Sequence, residues 1–196
     1  CKKIKGIDKR IIATDDLRIK DFCENFGAEV CLTSSRLRNG SERVSEALSM
    51  QKEDYSIIVN LQGDAPLTPP WVIEDLVKEL EISDYQVATP VFKCDYSGLV
   101  NLLNDRKKGR VGATTVVFDN KGRALYFSKE VIPYTNNNSL RKSSTRVYHH
   151  IGVYAYKKEA LESYFEFLPS HLEVQEGLEQ LRFIENGVHI KCIFSS

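Results

Sequence analysis

Short apolar runs alternate with polar loops and amphipathic segments along the first part of the chain. The runs have the length of strands, and the segments between them carry apolar residues at helical spacing. Strands are predicted over residues 10–14, 29–33 and 55–61, the last with the continuous apolar run Ile57, Ile58 and Val59. Three strand–helix units in a row favour an α/β domain with a largely parallel sheet, whose ligand crevice lies at the carboxyl ends of its strands.

The helices between these strands are indicated by their start and stop residues. We predict them over residues 17–26, 41–50 and 68–80. Gly27 is placed to end the first, Ser41 to cap the second, and Pro69 to open the third.

The second half of the chain is richer in strands. Strands are predicted over residues 86–92, 113–119, 123–128, 148–156 and 189–194, separated by Gly- and Asn-rich loops. Residues 119–122 form the turn of a hairpin. Two helices, over residues 158–165 and 172–185, follow the fourth of these strands, and Ser170 with Glu173 forms a capping box before the second. We therefore predict one α/β core with a β-rich insertion.

The composition excludes several classes of protein. Lys and Arg number 27 and Asp and Glu also 27, which argues against a general nucleic-acid binder. No apolar run approaches the roughly 18–20 residues of a membrane span, and no signal peptide is recognisable. The 5 cysteines are widely spaced without a C-x-x-C pair, as is typical of a reducing compartment. We expect a soluble cytoplasmic protein.

Asp64 is the most informative single carboxylate. It follows the strongest predicted strand, in the loop Gln62-Gly63-Asp64-Ala65-Pro66. Mg²⁺ binds one or two carboxylates together with phosphate oxygens and water, so Asp64 could be a metal ligand. It could equally stabilise the turn before Pro66.

Other polar residues lie at the ends of predicted helices and strands, and each could have either a ligand-binding or a structural role. Gly40, Ser41 and Arg43 at a helix start could cradle an anion or a base, or they could be a cap and a surface cation. His149 and His150 are neighbours in a strand, so only one of them is expected to face the crevice.

Two further pairs complete the candidates. Tyr154 is predicted to share a strand face with His150, in the crevice or packed in the core. Glu176 and Gln180 are predicted to stack one turn apart on a helix, facing either a ligand or solvent.

Seven segments, taken together and in order, resemble the 3-deoxy-manno-octulosonate (Kdo) cytidylyltransferase family. The most specific are Q-G-D-x-P, A-L-Y-F-S and L-E-Q-L-R. The segments are IIATDD (11–16), EVCLTS (29–34), NGSERVSEAL (39–48), IVNLQGDAPL (58–67), ALYFSKEVIPY (124–134), HIGVYAY (150–156) and LEVQEGLEQLRFIENG (172–187).

The resemblance implies a Rossmann-like nucleotide-diphospho-sugar transferase fold, with a mixed sheet flanked by helices. It implies an enzyme that transfers CMP from CTP to the anomeric hydroxyl of Kdo, releases pyrophosphate and uses Mg²⁺, for lipopolysaccharide synthesis. It also implies a homodimer formed through the β-rich second half.

The family pattern assigns roles to matching residues. Asp64 would be the Mg²⁺ ligand and would act in catalysis with His150. The nucleotide would contact Gly40, Ser41, Arg43 and Gln62. The sugar acid would contact Ser128, Lys129, His150, Tyr154, Glu176 and Gln180.

The chain also departs from the family pattern. Neither the loop A-R-x-x-S-x-R-L-P-x-K nor the segment D-T-x-x-D occurs in residues 1–196. We therefore expect a single nucleotidyltransferase domain over residues 1–196 that lacks the first strand with its phosphate loop and the C-terminal segment. The alternatives are a cytidylyltransferase for another sugar acid, such as 8-amino-Kdo or a sialic acid, and a non-catalytic nucleotide-binding fragment.

Overall fold

A computed structural model of the chain describes residues 4–111, 113–135 and 146–194. Within these ranges the chain forms nine strands and seven helices. The strands are β1 (Ile11–Thr14), β2 (Glu29–Leu32), β3 (Ile57–Leu61), β4 (Val87–Lys93), β5 (Thr114–Phe118), β6 (Ala124–Ser128), β7 (Tyr148–His150), β8 (Val153–Lys157) and β9 (Ile190–Phe194). The helices are α1 (Leu17–Asn25), α2 (Gly40–Ser49), α3 (Pro70–Ile82), α4 (Tyr96–Lys107), α5 (Lys158–Glu166), α6 (His171–Glu176) and α7 (Leu181–Glu185).

The predicted mixed α/β fold is confirmed, but the prediction of a largely parallel sheet is wrong. The main sheet has seven strands in the order β3-β8-β4-β7-β5-β6, with β9 on β4, within the described residues. Its pairings are antiparallel except β4 with β9, while β1 and β2 form a separate parallel pair. The reason is that β8 returns from the β-rich half and separates β3 from β4, so that successive strand–helix units are not sheet neighbours.

The strand pairings of the β-rich half form a closed circuit that begins and ends at β4. From β4 the pairing runs through β7 and β5 to β6. Arg123, just before β6, then bridges Lys191 of β9, which pairs with β4 again. The predicted hairpin between β5 and β6 is confirmed, with its turn closed by the Gly122 N–H donating to the Asp119 carbonyl.

Alternation along β8 divides the core into two layers. Tyr154 and Tyr156 pack with apolar residues of α5 and α7 on one face of the sheet. Val153 and Ala155 pack against α3 on the other face. Because successive strand residues point to opposite faces, one strand serves both layers. No helix in the described ranges is long and apolar enough to cross a bilayer.

The start of α2 differs from the prediction. Asn39, not Ser41, is the N-cap, and its side-chain oxygen accepts a hydrogen bond from the Glu42 N–H. The Ser41 hydroxyl instead shares a 2.8 Å hydrogen bond with the Tyr156 hydroxyl. The capping box predicted for Ser170 and Glu173 is confirmed at the start of α6.

Two predicted elements are each divided in the structure. The strand predicted over residues 148–156 is interrupted at Ile151 and Gly152, which lie between β7 and β8. The helix predicted over residues 172–185 is interrupted after Glu176, where Gly177 has a φ of 62°. Glu176 and Gln180 therefore do not stack on one helical face.

Helix α4 lies in a segment that was predicted to be a loop. Asp95 caps it by accepting a 2.7 Å hydrogen bond from the Gly98 N–H, and Leu99 is its buried residue. With so few buried positions, the apolar periodicity of this helix is weak, and the Asp cap is the stronger sequence signal.

The break at Gly177 gives a prediction about stability. Gly177→Ala places a side chain at a left-handed backbone position, so we expect it to lower the free energy of unfolding by about 1 kcal/mol. The matched control is Gly63→Ala, because a Cβ there meets no atom within 4 Å and φ is not in the left-handed region. Urea denaturation of the two variants and the wild type measures the difference. Equal effects at both positions would contradict the prediction.

Candidate functional site

One cavity of about 640 Å³ opens between the start of α2, the end of β3, the β7–β8 turn and the α6–α7 turn. Five of the predicted site residues line it, and they come from both the nucleotide set and the sugar-acid set. They are Gly40, Gln62, His150, Tyr154 and Gln180. Segments distant in the sequence therefore meet at one polar pocket.

His150 is the most enclosed histidine at the cavity, with 5% of its surface exposed. Its ring packs edge-on against Phe127, with 4.9 Å between centroids, and lies 5.4 Å from the Tyr154 ring. Burial, with a smaller effect from His149, lowers its pKa to about 3, so the imidazole is neutral. Both His149 and His150 line the cavity, so the expectation that only one of them faces it is wrong. The strand ends at His150, which limits the effect of alternation.

Tyr154 and Gln180 form a buried pair. The Tyr154 hydroxyl donates to the Gln180 side-chain oxygen over 3.1 Å. The Gln180 Nε2 is enclosed and has no hydrogen-bond partner among the described residues. Because a buried unpaired donor is costly, this amide is a strong candidate for a ligand contact.

Glu179 links the two ends of the cavity. One carboxylate oxygen accepts from the Ser41 N–H over 2.8 Å, and the other accepts from Gln62 Nε2 over 2.7 Å. Burial raises the pKa of this carboxyl, and the hydrogen bonds from Ser41 and Gln62 oppose the shift. Gly40 lies so close that a Cβ on it would be 3.1 Å from Gln62 Nε2. The Gln62 amide is thus held between α2 and Glu179.

Three other predicted residues form a cluster beside the cavity. The Glu176 carboxylate accepts from the Ser128 hydroxyl over 2.7 Å and from the Lys129 N–H over 2.9 Å. It also accepts from the Tyr126 hydroxyl. The Lys129 Nζ lies 2.7 Å from the position of a Cβ on Gly177, a cavity residue. Glu176 therefore fixes the end of β6, and Lys129 reaches the α6–α7 turn.

Arg43 and Asp64 lie outside the lining of the cavity. Arg43 donates to the Thr33 hydroxyl over 2.6 Å and pairs with Asp15 at 3.3 Å, which joins α2 to the ends of β1 and β2. Asp64 is exposed in the loop after β3. No group of three or more His, Cys, Asp or Glu side chains within the described residues could hold a metal. A single exposed carboxylate fits Mg²⁺ only when phosphate oxygens and water complete the coordination.

A buried ion-pair network supports the cavity wall. Arg182 is 1% exposed, and its guanidinium donates to Glu173 at 2.6 and 2.7 Å and to Glu42 at 3.0 Å. The guanidinium lies 4.3 Å from the centroid of the Tyr164 ring, and Asn39 donates to the Tyr164 hydroxyl. These contacts fix the start of α2 against α6 and α7.

Sequence reasoning missed several residues of the site. Arg38, Gly152 and Glu173 line the cavity, and Arg182 supports it. The available signals were weak: Arg38 directly precedes the α2 cap, and Gly152 interrupts a strand pattern, which often marks a close approach. Nothing local marks Arg182 as buried.

The family match and the similar solved structure define the class of enzyme, the nucleotidyltransferases. Residues 1–190 match the cytidylyltransferase family, and the chain therefore belongs to that family. The resemblance found in the sequence is thus confirmed.

Relatives from several organisms are similar along nearly the whole chain. The 3-deoxy-manno-octulosonate cytidylyltransferase of Maricaulis maris is 37% identical over 193 residues, covering 98% of this chain and 73% of the relative. The protein of the same name from Chlamydia felis is 42% identical over 190 residues, covering 95% and 69%.

Solved structures share the fold. A structure of CMP:2-keto-3-deoxy-manno-octonic acid synthetase complexed with CTP has a TM-score of 0.82 at 28% identity, covering 98% of this chain and 74% of that one. The 4-diphosphocytidyl-2C-methyl-D-erythritol synthase of Anaerococcus prevotii has a TM-score of 0.59 at 14% identity, covering 100% and 75%, and shows likeness of fold alone.

The network around Arg182 gives a second prediction. Arg182→Met leaves two buried carboxylates without their cation, so we expect the free energy of unfolding to fall by about 3–5 kcal/mol. Arg18→Met is the control, since the Arg18 side chain is 91% exposed and its ion pair lies on the surface. Urea denaturation measures the free energy of unfolding of both variants. If Arg182→Met lowers it no more than the control does, the buried network is dispensable for stability.

The buried imidazole gives a third prediction. The unfolded chain takes up a proton at His150 below about pH 6.5, whereas the folded chain does not, so stability falls as the pH is lowered. We expect the wild type to lose up to about 1.4 kcal/mol per pH unit more than His150→Gln between about pH 6 and pH 4. The control Asn101→Gln, at an exposed position without a titratable group, should keep the wild-type slope. Parallel profiles for wild type and His150→Gln would rule out the buried neutral state.

Proposed function

We propose that this chain transfers CMP from CTP to the anomeric hydroxyl of 3-deoxy-manno-octulosonate and releases pyrophosphate. The observation that carries the proposal is one cavity whose lining joins the nucleotide candidates Gly40 and Gln62 to the sugar-acid candidates His150, Tyr154 and Gln180. The names of the relatives and the CTP in a similar solved structure support both substrates.

The reaction is an in-line displacement at phosphorus. The anomeric hydroxyl oxygen of the sugar acid forms a bond to the α-phosphorus of CTP, and its proton passes to solvent water. The bond from that phosphorus to the bridging oxygen breaks, and pyrophosphate leaves with the electron pair. Such chemistry depends mainly on positioning and charge stabilisation, because no side chain forms a covalent bond to either substrate in this step.

On this proposal the nucleotide end of the cavity is formed by the start of α2 and the end of β3. Gly40 leaves room for the Gln62 amide, and Glu179 orients that amide by accepting one of its hydrogens. Ser41 holds α2 against β8 through Tyr156, and Arg43 holds it against β1 and β2. On this proposal Ser41 and Arg43 contribute to nucleotide binding by shaping the pocket.

The sugar-acid end is formed by the β7–β8 turn and the α6–α7 turn. Gln180 offers an unpaired amide N–H, and the neutral His150 ring offers a nitrogen. Ser128 and Glu176 position the backbone of Lys129, whose ammonium group is the nearby positive charge for a carboxylate. Glu176 thus acts by holding this strand end.

Asp64 would hold Mg²⁺ together with the phosphates of CTP. Bound there, the ion would neutralise charge on the phosphates and on the leaving pyrophosphate. The exposure of Asp64 suits a ligand that must share the ion with a substrate.

A homodimer in the cytoplasm completes the proposal. Leu125 on β6 and Phe194 on β9 expose more than half of their surfaces in the β-rich half, which a second copy could cover. Sedimentation of the chain at several concentrations tests the assembly, and a monomer at all of them would contradict it.

The function is tested by pyrophosphate release from CTP with Mg²⁺, with and without Kdo. Release that requires Kdo supports the proposal. Release with 8-amino-Kdo or a sialic acid, but not with Kdo, would show that the substrate is that other acid. CTP binding, measured by calorimetry, without release for any acid would favour the non-catalytic nucleotide-binding fragment.

The metal role of Asp64 gives a fourth prediction. Asp64→Asn removes the charge but keeps the shape, so we expect a loss of turnover on the order of 100-fold with an unchanged unfolding midpoint. Asp75→Asn is the matched control, because Asp75 is also exposed and lies on α3. Wild-type turnover in Asp64→Asn would contradict the assignment of Asp64 as a metal ligand.

A further inference from the structure

Thr89 is a fully buried hydroxyl in the middle of β4 that touches His150. Its Oγ1 lies 2.9 Å from the Val153 carbonyl oxygen and 3.3 Å from the Ile151 carbonyl oxygen. The same atom lies 2.9 Å from His150 Nε2. Thr89 thus joins the β7–β8 turn to the imidazole at the cavity.

These three contacts bear on where the imidazole proton lies. A hydroxyl has one hydrogen, and carbonyl oxygens can only accept, so a Thr89 hydrogen directed to these carbonyls leaves the hydroxyl oxygen as an acceptor towards His150. The remaining contact, to His150 Nε2, is a hydrogen bond only if that nitrogen is the donor. In that arrangement Nε2 carries the proton, and Nδ1 carries the lone pair.

The surroundings keep the ring in this neutral form. The titratable side chains beside it are His149 on the same strand and Tyr154 on β8, while β4 presents Thr89 and β6 presents Phe127. No anion among these groups stabilises an imidazolium. Nδ1 makes no hydrogen bond with any described residue, and His150 lines the cavity.

We propose that Thr89 is a positioning residue that holds His150 as the Nε2–H tautomer, so that Nδ1 accepts a hydrogen bond from a hydroxyl of the sugar acid. This inference rests on the proposed function for the identity of the ligand. The complementary group is the Gln180 Nε2, an unpaired donor at the same end of the cavity. Together they offer an acceptor and a donor, as neutral hydroxyl groups require.

The experiment uses the full chain of 196 residues with ¹⁵N-labelled histidine, of which it has 4. Long-range ¹H–¹⁵N spectra distinguish the two neutral tautomers and the imidazolium, and His150→Gln identifies the signal. We expect the Nε2–H pattern from about pH 5.5 to about pH 8.5. Thr89→Ser, which keeps the hydroxyl, should retain it. Thr89→Val, which keeps the shape, should lose the fixed tautomer while a circular dichroism melt shows a folded protein.

Kdo is then added to the wild type and to both variants. We expect the Nδ1 signal to move more than the Nε2 signal in the wild type and in Thr89→Ser. In Thr89→Val the Kd for Kdo should rise about tenfold, the value of one hydrogen bond.

The outcomes separate the inference from the proposed function. An Nδ1–H tautomer or an imidazolium in the wild type, or an unchanged tautomer in Thr89→Val, would overturn the role of Thr89. The expected tautomer with no response of His150 to Kdo would overturn the acceptor role. Kdo-dependent pyrophosphate release, measured separately, decides whether the proposed function stands in either case.

Discussion

The cavity depends on one buried cation. Arg182 places its guanidinium between Glu42 of α2 and Glu173 of α6, which lie 140 and 9 residues away in the sequence. Burying a charge is favourable only when its partners and hydrogen bonds are complete, and two carboxylates with an aromatic ring meet that condition here. Because each partner belongs to a different helix, the interaction fixes α2, α6 and α7 relative to one another rather than adding stability to any one of them.

The positions of the functional side chains follow from this arrangement. Glu179 lies three residues before Arg182, in the turn that begins at Gly177, and so reaches the Ser41 N–H and the Gln62 amide. The nucleotide end and the sugar-acid end of the proposed site are therefore joined by hydrogen bonds through a single carboxylate. A change in the α6–α7 turn would move both ends together, which is a physical reason for a glycine at its left-handed position.

The sequence alone predicted features that depend on neighbouring residues, and it failed where distant residues decide. Strand β3, the hairpin turn and the Ser170 capping box follow from local patterns, as does the placing of polar residues such as His150 at strand ends. The order of strands does not, because β8 enters between β3 and β4 from the far half of the chain. The helical spacing of apolar residues continues through Gly177, so periodicity could not indicate the break. Thr89 acquires its role from contacts 61 residues or more away.

The charges around the cavity indicate how such a site could separate affinity from selectivity. Both proposed substrates are anions, yet the described lining contains two carboxylates, Glu173 and Glu179, and the cation Arg38. Glu173 is paired with Arg182, which Glu42 also shares, and burial raises the pKa of Glu179. The interior also presents hydrogen-bonding groups such as Gln180 and Tyr154, which suit neutral hydroxyls, where a missing partner is costly. Positive charge for the anionic groups lies instead with Arg38, with Lys129 and, on the proposed function, with a metal ion. On that proposal, the positively charged groups would attract any nucleotide and sugar acid, and the hydrogen-bonding groups of the interior would select between acids that differ by one hydroxyl.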